Sequence, residues 1–323
     1  MTRFIITGGG GYIGGHLAQR LVKEGHEVQV IDKLPLGDAF RLAPVIDNKR
    51  FSYCQLEISE AADLVPLFRG FDAVFHFAAS ADITLGFQQT DLDIRQGSML
   101  TYKVLETMRQ AGVKDIIFSS TGTVYGYPAQ IPTPEDSGTF MPISLYGASK
   151  LASEGLISAF CHCYGLDGWI FRFGNIIGKD SQRGVIWDLI EKLKKNSSEL
   201  EVLGDGEQLK DYVYIDDCLD AMLYGYSKSK EKVNVFNIGS DSNLSVKQVV
   251  KIILEDAKLN DVKVRYSGGP AGWRGGGWPG DVNLVLYDIS RLKALGWKPR
   301  FSSYAAVKQA VKETLENVGQ VSH

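Results

Sequence analysis

The sequence predicts an α/β fold, a doubly wound parallel sheet with a smaller C-terminal α/β part. Three observations predict it. Short apolar runs alternate with amphipathic helical stretches through the first half of the chain. A glycine-rich turn, Thr7-Gly8-Gly9-Gly10-Gly11-Tyr12-Ile13-Gly14, joins the first run to the first helix. An acid, Asp32, closes the second run about 20 residues beyond that turn.

The first run, Phe4-Ile5-Ile6, reads as a buried strand, and residues 16–24 as a helix with Leu17, Leu21 and Val22 on one face. Gly8 permits the tight turn between them. Gly11 clears the path of a pyrophosphate, and Gly14 lets the helix lie close to the sheet. The helix N-terminus offers free N–H groups and a partial positive charge to an anion. Val28-Gln29-Val30-Ile31 is the second strand, and Asp32 at its end can bind both hydroxyls of an adenosine ribose. Together these make a Rossmann-type dinucleotide site. Asp32 repels a 2′-phosphate and so favours NAD; Lys33 beside it keeps NADP as the alternative.

Strands follow over residues 51–56, 73–77, 114–119 and 168–173, and helices over 61–69, 97–110 and 145–164. Ala78 and Ala79 follow the strand ending at Phe77, where small residues suit close approach of a ligand. His76, inside that apolar run, reads as a hydrogen-bonded core histidine. A Pro-rich loop covers 127–142.

After Asn175 the rhythm changes. Helices are expected over 185–195, 216–226, 246–256 (capped by Ser245), 289–295 and 304–317, and strands over 201–203 and 235–238. This divides the chain into a dinucleotide-binding domain, 1–175, and a mainly substrate-binding domain, 176–323. Segments within about 205–245 return to the first domain. The second part is expected over the carboxyl ends of the strands, where such sheets bind ligands.

With 323 residues, 44% of them hydrophobic, the chain can bury a large core. The net charge of −3 points to neither nucleic acid nor membrane as a partner. No long apolar run suggests a membrane span, and no basic-then-apolar leader precedes the first strand, so the expected location is cytoplasmic. Of the four cysteines only Cys161 and Cys163 are close, and residues two apart do not share a helix face. Reduced thiols are expected, and no metal.

Tyr146 and Lys150 lie four apart at the start of a long helix and share a face. A tyrosine near pKa 10 is a poor base. A lysine ammonium and a positively charged nicotinamide beside it would lower that value. Ser119-Ser120-Thr121 ends a strand at the same rim of the sheet as the glycine turn and offers hydroxyls to a substrate.

In this order these motifs resemble the extended short-chain dehydrogenase/reductases, and within them the nucleotide-sugar 4-epimerases typified by UDP-glucose 4-epimerase. The resemblance covers nearly the whole chain. It rests on Thr7-Gly8-x-x-Gly11-x-x-Gly14, Asp32, His76-Phe77-Ala78-Ala79, Ser119-Ser120-Thr121-x-x-Val124-Tyr125-Gly126, Tyr146-x-x-x-Lys150, Arg172-Phe173-x-Asn175 and Asp211-Tyr212-Val213-Tyr214-x-Asp216-Asp217.

The resemblance implies an NAD-dependent isomerase of carbohydrate metabolism, a homodimer acting on a nucleotide sugar, most simply a UDP-hexose. Tyr146 is then the base at the sugar O4, Lys150 holds the nicotinamide ribose, and Thr121 hydrogen-bonds O4. Tyr12, Ile13, Lys33, Glu57, Ile58, Phe77, Ala78, Ala79, Ser119 and Phe173 fall at cofactor-contacting positions of the family. Asn175 and the backbone near Val185 and Ile186 fall at positions that hold the nucleotide diphosphate, and Asp281 falls at a substrate-binding position. Lys210 and Trp278 stand where the family carries arginines, and Arg274 is a second cation in the same glycine-rich loop as Trp278. Ile94 replaces the family's asparagine. Dehydratases and decarboxylases of the superfamily place carboxylates just after the threonine. Thr121-Gly122-Thr123 has none, which favours epimerisation over dehydration, reduction or decarboxylation. A non-catalytic NAD- or sugar-nucleotide-binding protein is the remaining alternative.

Overall fold

Runs with almost no polar residue suit strands covered on both faces, and the strands so expected form one seven-stranded sheet in the computed structural model, which describes residues 1–80, 83–267, 277 and 280–318. In chain order the elements are β1 (Arg3–Thr7), α1 (Tyr12–Lys23), β2 (Glu27–Asp32), β3 (Phe51–Gln55), α2 (Val65–Phe68), β4 (Ala73–His76), α3 (Ile83–Gln88), α4 (Leu100–Ala111), β5 (Asp115–Thr121), α5 (Leu145–Tyr164) and β6 (Asp167–Phe173). Across the sheet the order is Val233–Ile238, β6, β5, β4, β1, β2, β3. The pairs β1·β2, β1·β4, β2·β3 and β4·β5 are parallel. The order reverses between β1 and β4. In such sheets that switch point is where ligands bind, outside the carboxyl ends of the strands.

The chain divides into two compact units. The first holds 1–124, 144–172 and 225–236, the second 125–143, 173–224 and 237–323. This interleaving is finer than a boundary at 175 with a return over 205–245. Residues 225–236, inside the stretch 205–245, group with the first unit, and Val233–Ile238 joins the sheet beside β6. Residues 125–143 belong to the second unit, where Thr133 N–H donates to Leu286 O at 2.9 Å and Asn237 Nδ2 donates to Thr133 O at 2.9 Å.

The core of the first unit joins Ile5, Ile31, Phe68, Val74, Val104, Ile116, Phe118 and Ile170 with Ile157 and Phe160 of α5. Two local expectations change. The helix expected over 61–69 shrinks to α2, with Pro66 in its first turn and Arg69 already extended at ψ 132°. Lys103 Nζ donates to the carbonyls of Ser59 (3.0 Å) and Ala61 (2.5 Å), holding the preceding segment outside a helix. Before α4 the chain makes a π turn, Ile94–Met99. Its cause is Ser149 of α5, whose Oγ donates to Asp93 O (2.5 Å) and accepts from Ser98 N–H (3.1 Å). That oxygen fills the space a side chain at Gly97 would need.

Ser144 caps α5, its Oγ accepting from Gly147 N–H at 3.1 Å. This sets the first turn, which carries Tyr146. Ser144→Ala is expected to lower unfolding free energy by about 1 kcal/mol in urea titrations.

In the second unit, helices Val185–Lys195, Val246–Asp256 and Ser303–Val318 pack together. Ser245 and Gln248 form a reciprocal capping box at the second of these. Short strand pairs complete the unit: Asn175–Ile177 with Tyr212–Tyr214, Leu209–Lys210 with Leu244–Ser245, and Glu199–Val202 with Lys263–Tyr266.

Candidate active site

The glycine turn sits at the switch point. Gly8 has φ +73°, and a Cβ there would lie 2.6 Å from Ala78 N, so the turn and the chain after β4 touch backbone to backbone. At Gly14 a Cβ would lie 2.7 Å from Gly8 O, which brings α1 down onto the turn itself. At Gly11 it would meet only Gly8 O, at 3.2 Å. Gly11 is therefore the glycine of the three whose missing side chain leaves room beside the turn. Tyr12 and Ile13 open α1 half-buried, and the Arg41 guanidinium lies 5.5 Å from the Tyr12 ring.

Asp32 is 9% exposed. Its Oδ2 accepts from Gly10 N–H at 2.8 Å and its Oδ1 from Leu34 N–H at 3.0 Å. A carboxylate has about four acceptor positions, so two bonds orient it and leave capacity for two ribose hydroxyls. Lys33 pairs with Glu57 at 3.9 Å, and Glu57 Oε1 also accepts from Ser59 Oγ at 2.7 Å. Ile58 lies in the apolar core. Phe77, Ala78 and Ala79 follow β4 half-buried, and Phe173 ends β6 buried. The cradle at Gly8, the space at Gly11 and the acceptor at Asp32 fit a dinucleotide.

Thr121, Tyr146 and Lys150 all belong to the first unit. Lys150 is 4% exposed and donates to Ser119 O at 2.7 Å, its ammonium 4.7 Å from the Phe118 ring centre. That bond uses one of its three donor positions, and among the described residues no other acceptor is bonded to it. Burial pushes Lys150 down to about 8, with Glu154 and then Asp93 opposing the fall. Tyr146 departs from expectation. Burial, and after it the Asp93 carboxylate, push its hydroxyl up to about 12. Lys150, 5.9 Å from the centre of the Tyr146 ring, does not offset them. Thr121 Oγ1 accepts from both Thr123 N–H and Thr123 Oγ1–H, each at 3.2 Å. A hydroxyl has two acceptor positions and one proton, so Thr121 is left as a donor.

His76 is the hydrogen-bonded core histidine expected of it. Its Nδ1 lies 2.7 Å from Thr7 Oγ1 and its Nε2 3.2 Å from Thr101 Oγ1. Burial, and secondarily Lys150, push it down to about 3 from 6.5. The folded protein keeps His76 neutral while the unfolded chain binds a proton below pH 6.5. Its contribution is present above pH 6.5 and lost as pH falls towards 3. Urea midpoints taken between pH 6.5 and 5 should show a loss of about 2 kcal/mol that His76→Gln removes.

Sequence reading missed a buried ion pair next to Lys150 on α5. Glu154, one turn beyond Lys150, accepts from Ser120 Oγ (2.5 Å), Arg172 Nε (3.0 Å) and Arg172 Nη2 (2.7 Å). The signal was an arginine inside the apolar run Trp169-Ile170-Phe171-Arg172-Phe173, since a buried charge needs a partner.

The second unit holds the other expected residues. Asn175 is exposed, with its Nδ2 donating to Asp211 O at 3.3 Å. Val185 and Ile186 open the helix Val185–Lys195, whose N-cap Gly184 supplies no side-chain cap. Lys210 and Asp281 meet each other: Lys210 Nζ donates to the Asp281 carboxylate and to Val282 O, both side chains nearly buried. The Lys210 charge is thus matched within the protein. Arg274 and Trp278 lie outside the described residues. The four thiols are free. Among the described residues no His/Cys/Asp/Glu cluster could hold a metal, and no helix is long and apolar enough to cross a membrane.

Comparison with known proteins agrees with this geometry. The chain is 28% identical over 312 residues to a putative UDP-glucose 4-epimerase of Methanocaldococcus jannaschii, covering 95% of this chain and 96% of that one. Its fold is similar to that of the Thermotoga maritima UDP-glucose 4-epimerase solved with UDP-glucose (TM-score 0.86, 29% identity, 98% and 100% of the two chains). It is also similar to the dTDP-glucose 4,6-dehydratase DesIV of Streptomyces venezuelae, solved with NAD (TM-score 0.87, 26% identity, 98% of each chain). The sequence pattern of the NAD dependent epimerase/dehydratase family matches residues 4–239. From the switch-point turn to the return of the last sheet strand, the chain belongs to that family, as an NAD-dependent enzyme of the extended short-chain dehydrogenase/reductase class.

Proposed function

We propose that the chain is a nucleotide-sugar 4-epimerase, interconverting UDP-glucose and UDP-galactose or their N-acetylated forms through a 4-keto sugar. One observation carries this reading against a dehydratase. The turn after β5 holds no carboxylate, and the Thr123 hydroxyl is directed back to Thr121. Eliminating water from the sugar needs a further acid and base, which this turn does not supply.

In this reading Tyr146 takes the O4 proton as carbon 4 is oxidised and returns it after the 4-keto sugar has presented its other face. Thr121 can only donate, so it steadies O4 as negative charge develops there and is not itself the base. Lys150 offers its two remaining donors to a ribose and adds positive charge near Tyr146. Bound NAD supplies the hydride acceptor and donor, together with a positive ring that favours the phenolate. The carbon 4 hydride and the O4 proton both return, so mass is conserved. Gly8, Gly11, Asp32 and the chain at Phe77–Ala79 hold the cofactor. Asn175, Val185, Ile186 and Arg274 are assigned to the nucleotide diphosphate, while Lys210 and Asp281 pair with each other beside it. Two copies pair through α4 and α5, whose Tyr102 and Tyr164 stay exposed while Ile157 and Phe160 face the core.

The test is a screen of nucleotide sugars by thermal shift, followed by product analysis of the best binder without added reductant. The expected product is the C4 epimer at unchanged mass. A product lighter by water or carbon dioxide, or tight binding without turnover, would overturn the reading.

A further inference from the structure

Four charged side chains lie buried in the first unit, Lys150 of the reacting trio and three others. Asp93, Lys150, Glu154 and Arg172 are 3%, 4%, 6% and 3% exposed, two positive and two negative. An isolated buried ion costs several kcal/mol, so such groups persist only when balanced and hydrogen-bonded. Glu154 is held by the Arg172 fork and by Ser120 Oγ. Lys150 sits one helical turn before it, on the same face of α5. Its ammonium bonds the carbonyl of Ser119, the residue before Ser120. Two successive positions of β5 therefore fasten Lys150 and Glu154 just ahead of Thr121. Asp93 is placed from the other side. Its carbonyl accepts from Ser149, the residue before Lys150. Its carboxylate occupies the space a side chain at Gly86 would need.

We propose that Asp93 and the Glu154–Arg172 pair are positioning residues that hold Lys150 as an ammonium on the Ser119 carbonyl. Burial alone favours neutral lysine. Glu154 and Asp93 are the two charges that oppose it. Arg172 is bonded to Glu154 through its Nε and Nη2 and so limits how much of the Glu154 charge Lys150 feels. Among the described residues Tyr146 on α5 and His76 on β4 also lie near Lys150, and burial, then Lys150 itself, push His76 down to about 3. Ile94 stands where the family's asparagine would be, and the π turn beginning there leaves it half exposed, at 50%. The buried polar group of that segment is its neighbour Asp93.

The inference rests on the proposed reading only for the importance of Lys150. Its test is accordingly read without turnover. In protein labelled with 13C at lysine Cε, the Lys150 resonance, assigned by its loss in Lys150→Met, is titrated by NMR. In wild type it should titrate near 8. Asp93→Asn and Glu154→Gln should each lower the midpoint by about one unit. Arg172→Gln, which frees Glu154 to act on Lys150, should raise it. Glu154→Gln combined with Arg172→Gln should bring it back towards wild type. A scaffolding role would lower thermal stability in each variant and leave the Lys150 titration unmoved. That result, or a midpoint lowered by Arg172→Gln, would overturn the proposal. If the pair variants do not fold, Asp93→Asn decides alone, since Asp93 lies outside the Glu154–Arg172 pair. A wild-type midpoint near 8 with no epimerase activity would leave this inference standing and remove the proposed function.

Discussion

Tyr146→Phe is expected to lower kcat by about 10²–10⁴-fold with NAD still bound and KM little changed. The substitution removes one oxygen and keeps the ring, so the packing of the first turn of α5 survives. The loss is specific to proton transfer because the other hydroxyl, Thr121, has both acceptor positions filled by Thr123 and cannot serve as a base in its place. Burial and Asp93 hold Tyr146 at about 12 in the protein alone, so its basicity depends on positive charge brought close to it. Turnover should therefore rise with pH at the acid end. It should fall again where Lys150, near 8, gives up its charge. A Tyr146→Phe variant with more than about one-tenth of wild-type kcat would remove Tyr146 as the base.

The second large effect is expected at Gly8. Valine there must adopt φ near +73° and place its Cβ 2.6–2.9 Å from backbone atoms of Phe77 and Ala78. Neither strain can relax without separating β1 from the chain after β4. A loss of about 3 kcal/mol in unfolding free energy is expected, with loss of cofactor binding. Gly11→Ala is the control. Its Cβ meets only Gly8 O at 3.2 Å, so the fold should survive while NAD affinity falls. Thermal unfolding and NAD titration together separate the two. Equal stability losses in both variants would contradict the distinction.

The sheet was legible because most of its strands are short apolar runs and its first turn carries glycine. The helix expected over about 145–164 is the one observed, and the structure adds its ends, the serine cap at Ser144 and the left-handed Gly165. The capping box at Ser245 was half-read, since its cap has a sequence signature while Gln248 completes it. The two-residue strands at Leu209 and Leu244 carry no periodicity and are defined by pairing alone. The π turn was hidden because its cause, Ser149, is distant in sequence. The same holds for charge pairing. Lys210 read as a cation for a ligand, but its partner Asp281 lies 71 residues on. Tyr146 and Lys150 stand out by their spacing, yet the upward shift of the tyrosine comes from burial and from Asp93, which only folding brings about.

The return of residues 225–236 to the first unit has a consequence for biogenesis. On a ribosome β6 emerges long before Val233–Ile238, the strand that flanks it in the finished sheet. Until that later stretch is made, β6 is an open edge of bare amide and carbonyl groups, carrying buried aromatics such as Trp169 and Phe171. Such edges recruit other strands. A nascent chain stalled near residue 224 should therefore be the aggregation-prone intermediate of synthesis, and slow passage through that stretch would lengthen its exposure.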